Sequence, residues 1–373
     1  MHAETPTAPL TRAPAPTEPS STQPSTALPA TLREVRAAIP ARCYERSRPR
    51  VVLALVQALV LYLAPLAGLV FTDAWWALLP LWVLAGLGVS GLFVLGHDAS
   101  HGALVRSQRL NRLIARACMV PSAHVEAAWA LGHNRIHHGY TTRQGFDFAW
   151  HPATTEDYER MPRVARIRHR LEWSWLGAGA YYARTIWWQK MIRFRAPDRR
   201  RRAIVRDKAH LGAVVVVLAL ASAALGWHLD GAFGALWLPI KLFVVPFLVF
   251  AQVIGWTIYV HHVAPEIRWW RAKDWTQVRA QLESTTVLRV PRVVNRLWFH
   301  NIFLHVAHHV DARIPFHRLP AAIRAIAHAH PSLVRIRRVR LGDYLRATRA
   351  CKLYDFDAGR WLPYPRARRS SVA

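Results

Sequence analysis

Cysteine is almost missing. Cys43, Cys118 and Cys351 are the only three in 373 residues, and they form no CxxC pair, which argues against a disulfide frame. Acidic side chains are also scarce, 22 Asp and Glu against 50 Lys and Arg, so the formal charge is +28. No glycine-rich strand-to-helix fingerprint occurs, so no bound flavin or nicotinamide is expected, and neither His151-Pro152 nor His330-Pro331 is followed by the glycines of a fused haem-binding domain, so no haem is expected either. Charge of either sign is absent from residues 51–71, 74–96 and 211–228, and 236–260 contain only Lys241. Such long apolar runs disfavour a soluble architecture and point to a polytopic membrane protein.

The four runs pair into two hairpins, joined by Thr72-Asp73 and by a turn containing Asp230. The expected fold is therefore an all-α integral membrane protein with four transmembrane helices, over about 51–71, 74–96, 211–228 and 236–260. Lys241, near the start of the last span, sits where its stem can snorkel to the interface. Neither short turn contains Lys or Arg, whereas residues 97–210 hold 21 of them, residues from 263 onward another 21, and the first 50 residues 7. Basic residues near span ends are retained on the cytoplasmic side, which places both termini and the long middle loop there. A bacterial inner (plasma) membrane is the expected location.

Residues 1–35 are rich in Pro, Ser, Thr and Ala without apolar periodicity and are expected to be a disordered tail. No apolar core of signal-peptide length precedes Val51. The membrane domain is expected over 36–345, followed by a basic C-terminal tail over 346–373. The Arg-rich segments suit anionic headgroups, and four spans without a groove-reading module argue against nucleic acid as a partner. The same basic face is compatible with an acidic redox partner.

Histidine carries the functional signal. His97 and His101 lie in HDASH, His133, His137 and His138 in HNRIHH, and His305, His308 and His309 in HVAHH. On helices the spacings i, i+3 and i, i+4 share a face, so each box is expected to aim its rings at one spot. Eight imidazoles suit two iron or zinc ions. With both hairpins entering and returning on one side, all three boxes fall at the cytoplasmic ends of the spans or beyond. A cytoplasmic helical cap carrying a di-metal site is thus expected.

These residues resemble the membrane-bound fatty acid desaturases. GHDASHG is similar to that family's first box, HNRIHHGYTT to its second and AHHVDARIP to its third. DFAWHPATTEDY and VDARIPFHRLPA are similar to segments of bacterial and cyanobacterial acyl-lipid desaturases of the Δ12 type, and the similarity covers about residues 51–319. The second box departs from many members in placing three residues between His133 and His137. Longer second boxes also occur, so the departure bears on subgroup.

The resemblance implies an enzyme that inserts a double bond into a lipid acyl chain with a di-iron centre and O2 as co-substrate. The eight box histidines would be the ligands, with a ninth from the His261-His262 pair, His262 preferred over an ordinary interfacial role. Asn301, four residues before His305, would share its helical face and support a ligand or a metal-associated water. Asp98, Asp147 and Asp311 are candidate acceptors for imidazole NH groups, or else simple caps and salt bridges. The chemistry explains the metal: an alkyl methylene has no acidic proton, carbonyl or leaving group for a side-chain acid or base to use. Two electrons per turnover would come from an external ferredoxin or cytochrome b5. A membrane di-iron hydroxylase or ketolase acting on lipid, sphingoid or carotenoid is the nearest alternative, and a non-enzymatic metal-binding membrane protein a more distant one. Transport would place the ligands at the bilayer midplane, where these boxes do not lie.

Overall fold

A computed structural model describes residues 31–365. Three stretches are helical, long and apolar enough to cross a membrane: Arg48–Val70, Trp75–Ser100 and the 65-residue Asp198–His262. Pro49 lies in the first turn of the first helix, where its missing NH costs nothing. Its outward side chains, among them Val52, Leu53, Val56 and Val60, stay exposed, as a lipid-facing surface requires. The second helix, by contrast, is buried almost continuously from Gly88 to Ala99, and so runs through the centre of the fold.

The 65-residue stretch is not one rod. Asp230 and Gly231 leave helical geometry, Gly231 at φ 55, a conformation open chiefly to glycine. A Cβ placed on Gly226 would lie 2.0 Å from the Gly234 carbonyl oxygen. Residues eight apart along a helix are about 12 Å apart at 1.5 Å per residue, so this contact means that the chain reverses. The two tips are tied together: Lys241 Nζ donates to Asp73 Oδ1 at 2.8 Å and to the Thr72 carbonyl at 3.2 Å, and Trp237 Nε1 donates to Asp73 Oδ1 at 2.9 Å. Lys241 is buried, and its ammonium reaches the Thr72-Asp73 turn at the tip of the other hairpin.

The remaining chain builds a cap on the ends of the apolar helices that carry His97 and His262. It contains short helices, including Glu126–Leu131, Arg163–Glu172, Gln277–Glu283 and His305–Val310. Two small sheets depart from the expected all-α fold. Val287–Arg289 pairs in parallel with Ile336–Arg338, and Leu353–Asp355 pairs antiparallel with Arg360–Leu362.

Both expected tails need correction where they are described. Residues 1–30 lie outside the described residues, but Leu32–Ala37 is a helix with Thr31 as N-cap, its Leu32 and Val35 buried. It docks through Arg36, whose Nε donates to the Val310 carbonyl. At the other end the Leu341–Ala350 helix and the second sheet are folded into the cap. Trp361 Nε1 donates to the Ile267 carbonyl at 2.8 Å, and Cys351, Leu353 and Tyr354 are buried. Basic as this segment is, Cys351, Leu353, Tyr354, Phe356 and Trp361 anchor it by burial.

Candidate metal centre

Four local structures deliver the rings. The Trp75–Ser100 helix carries His97 in its last turn, with His101 as its C-cap. His133 and His137 lie in a π-helical turn, Gly132–His137, capped by His138. His262 closes the helix Val245–His262, and His305, His308 and His309 occupy the buried helix His305–Val310.

The rings form two groups. His97, His101, His133, His138 and His308 make one, and His137, His262, His305 and His309 the other, their candidate ligand nitrogens all within 4.8 Å of one another in each group. Only the first box keeps its pair on one spot. In the π-turn the His138 NH bonds the His133 carbonyl five residues back, at 3.0 Å, so His133 and His138 align while His137 turns to the other group. In the third box His305 and His309, i and i+4, stay together, and His308 crosses over. The expected one-box, one-spot arrangement is therefore replaced by two interleaved groups bridged by the second and third boxes.

Spacing of the facing nitrogens tests whether a metal fits. His97 Nε2 lies 2.8 Å from His133 Nε2, His138 Nε2 3.2 Å from both His133 Nε2 and His308 Nε2, and His305 Nε2 3.0–3.1 Å from those of His309 and His262. Two nitrogens each about 2.1 Å from one first-row metal are about 3.0 Å apart along an octahedral edge and about 3.4 Å in a tetrahedron. His101 Nε2 is buried without a hydrogen-bond partner among the described residues. A set of inward lone pairs at ligand-edge spacing fits a pair of ions.

The outward nitrogens are tied down. His97 Nδ1–H donates to Asp98 at 2.9 Å and His137 Nδ1–H to Asp147 at 3.0 Å. His309 Nδ1–H donates to Gln281 Oε1 at 2.6 Å and His262 Nδ1–H to the Ser284 carbonyl at 3.1 Å. Each acceptor places the proton on Nδ1 and leaves Nε2 free to face the group. Asp147 also accepts the Thr142 and Ala149 amides. Burial pushes its carboxyl up, but His137 and these hydrogen bonds outweigh burial and hold it below the usual carboxylate range. The rings of His133, His138, His305, His308 and His309 lie well below the ordinary imidazole range, through burial first and neighbouring rings second. Neutral imidazole is the form a metal takes.

Two expected supports lie elsewhere. Asn301 is not on the His305 helix: it sits in a turn at φ 66, and its Nδ2 donates to the Phe316 carbonyl at 3.2 Å. Asp311 binds Arg313 at 2.6 Å, Tyr44 at 3.2 Å and Arg36 at 3.6 Å, and it lines the cleft beside the rings. Of the adjacent pair, His262 joins a group, whereas His261 stacks on the outer face of His305 with centroids 4.1 Å apart. Gln281 and Ser284 escaped the sequence reading, since no spacing links them to a histidine box. Beside the site, a cleft of about 290 Å³ reaches His101, His138, His309 and Gln281, with Arg36 and Arg313 on its rim.

Apolar helices ending in two buried histidine groups define a helical membrane-type protein with a candidate di-metal centre. The comparison with known families names the type. The model of the Fatty acid desaturase family matches residues 73–338, and the chain belongs to that family, which makes it a fatty acid desaturase and an oxidoreductase. It is 27% identical over 292 residues to an "sn-1 oleoyl-lipid 12-desaturase" of a Synechocystis strain, covering 78% of this chain and 80% of that one. An "sn-1 acyl-lipid omega-3 desaturase (ferredoxin)" of Nostoc is 28% identical over 312 residues, covering 79% and 80%. The "Omega-6 fatty acid desaturase, chloroplastic" of Spinacia oleracea is 27% identical over 301 residues, covering 79% of this chain and 63% of its own length.

Proposed function

We propose that this protein is an O2-dependent acyl-lipid desaturase of the Δ12 type that holds two iron ions. The observation that carries the reading is the pair of buried histidine groups, with Nε2 atoms converging at ligand-edge spacing. His97, His101, His133, His138 and His308 would hold one ion, and His137, His262, His305 and His309 the other. When bound, the iron pair supplies O2 activation strong enough to take hydrogen from an unactivated methylene. The protein's own part is positional: Asp98, Asp147, Gln281 and the Ser284 carbonyl hold the rings.

The four apolar arms are assigned as four spans, with the cap and both termini cytoplasmic, in a bacterial inner membrane. Basic residues flanking the cap and absent from the Thr72-Asp73 turn support this orientation. The substrate is the acyl chain of a membrane lipid. The external donor is a ferredoxin, as one relative's name states for that relative, and the cleft rimmed by Arg36 and Arg313 suits an acidic carrier.

The test is expression with a ferredoxin system in a host rich in oleoyl lipids, followed by fatty-acid profiling. A new cis double bond at the Δ12 position is expected. A bond at another carbon corrects the regiochemistry, and hydroxylated lipids alone would replace the reading with a hydroxylase.

A further inference from the structure

Beneath the first histidine group lies a chain of rings that ligand holding does not use. Trp129 stacks on His133, centroids 4.5 Å apart and planes 16° apart. His124 is a further neighbour of Trp129, with centroids 5.6 Å apart, and Phe93 packs edge-on against Trp129 and tilted against His124. His124 in turn meets Tyr182, whose hydroxyl lies 2.9 Å from His124 Nε2. Trp129, His124 and Tyr182 are all buried, and the Trp129 Nε1 has no partner among the described residues.

The hydrogen bonds settle the direction of the proton. His124 Nδ1 is 2.7 Å from the Ser122 carbonyl, which can only accept, so the ring proton sits on Nδ1. Nε2 is then a lone pair, and the Tyr182 hydroxyl donates to it. A phenol hydrogen-bonded to a neutral imidazole gives up an electron readily, because its proton has somewhere to go in the same event. The stacked indole provides a short ring-to-ring route from that phenol to a ligand of the metal site.

We propose that Trp129, His124 and Tyr182 form an electron and proton relay that discharges the O2-oxidised metal site when no acyl chain is in place. The inference rests on the reading of that site as an O2-activating iron centre. In each pass the Tyr182 O–H bond breaks, one electron travels through Trp129 and His133 to reduce the site, and the proton forms an N–H bond at His124 Nε2. The products are a neutral tyrosyl radical and a His124 cation that keeps its Nδ1–H on Ser122. One electron from the external carrier, with return of the proton, restores the phenol. Two passes deliver two electrons from the external carrier, and two protons from solvent, entering by the cleft that reaches His101, balance them at the site, in place of the two hydrogen atoms that desaturation takes from two C–H bonds, so the ligand rings are spared.

The experiment uses full-length, iron-loaded protein, reduced and then mixed with O2 in the absence of lipid substrate. An organic-radical resonance is expected whose hyperfine pattern changes when the protein carries ring-deuterated tyrosine. Tyr182→Phe keeps the ring and its packing and should lose the signal, with iron content and initial rate retained. It should also inactivate several-fold faster during turnover, with oxidised Trp129 and His133 in peptide maps. Trp129→Phe should lower the radical yield several-fold. Protein that binds iron and forms product but shows no tyrosyl signal, or an undiminished signal in Tyr182→Phe, overturns the relay alone. Protein that binds iron yet neither consumes O2 nor desaturates overturns the parent reading, and the relay with it.

Discussion

Gln281 joins the two histidine groups through a single amide. Its Oε1 accepts from His309 Nδ1 at 2.6 Å, and its Nε2 donates to the His138 carbonyl at 2.6 Å. His309 belongs to one group and His138 to the other. The side chain is buried, so neither bond is replaced by water at no cost when it is cut.

Replacing Gln281 by Leu keeps the volume and leaves the His309 ring unheld. Loss of a partner that orients a ligand typically lowers metal affinity or activity about 10–100-fold, and a loss in that range is expected. Gln281→Glu keeps an acceptor for His309 and should retain more iron than Gln281→Leu. Iron content after dialysis against a graded chelator checks the order, and equal retention by the two variants would contradict it.

His308→Ala and His137→Ala remove one ring from different groups. Each should abolish desaturation and leave about one of two irons, because the other group keeps its full set. Elemental analysis of purified protein measures this. Full iron with normal activity in either variant would remove that residue from the site.

Asp147→Asn puts an amide NH2 where one carboxylate oxygen faces His137 or a backbone NH. One donor then meets another, and activity should fall about 10–100-fold, the range for disturbing a ligand's outer partner. Rates at saturating donor test it, and a change of less than about twofold would show that His137 needs no such support.

Acid should destabilise the metal-free fold. The buried rings of His133, His138, His305, His308 and His309 stay neutral well below the ordinary imidazole range. The unfolded chain takes up protons as pH falls through about 6.5, and the folded chain does so only lower down. The unfolded state thus binds more protons across that window, so stability drops as pH falls from about 6.5 and is unaffected by these groups above it. Bound metal should be lost in the same direction, since protons compete for the ligand nitrogens. Thermal midpoints of metal-free protein between about pH 8 and pH 5 measure the slope, and a flat profile would refute it.

Much of this site is legible in one dimension. Box spacing singles out His97, His101, His133, His137, His138, His305, His308 and His309 because ligand chemistry demands imidazole, and few other roles gather so many. Asp98 is found because it adjoins its ring, and Asp147 because it lies in a segment with a family likeness. The Asn301 assignment extends the His305 helix upstream, but that helix spans only His305–Val310, and Asp311, just past its end, takes the salt-bridging alternative with Arg313 and Arg36. Gln281 left no trace because its partners are 28 and 143 positions away in the chain.

The sequence alone determined that this chain has long apolar runs, that its basic residues gather away from the two hairpin tips, and that eight of its histidines fall in three boxes with the spacing and chemistry of metal ligands. Those properties are carried by side-chain chemistry and by local periodicity, which require no knowledge of distant neighbours. Which ring joins which group was decided only in three dimensions. A π-turn at Gly132–His137 advances fewer degrees per residue than an α-helix, so it sends His137 one way and His133 and His138 the other. That geometry is stable because the surrounding cap holds it, through Asp147, Gln281 and Trp129, and no six-residue sequence encodes such support.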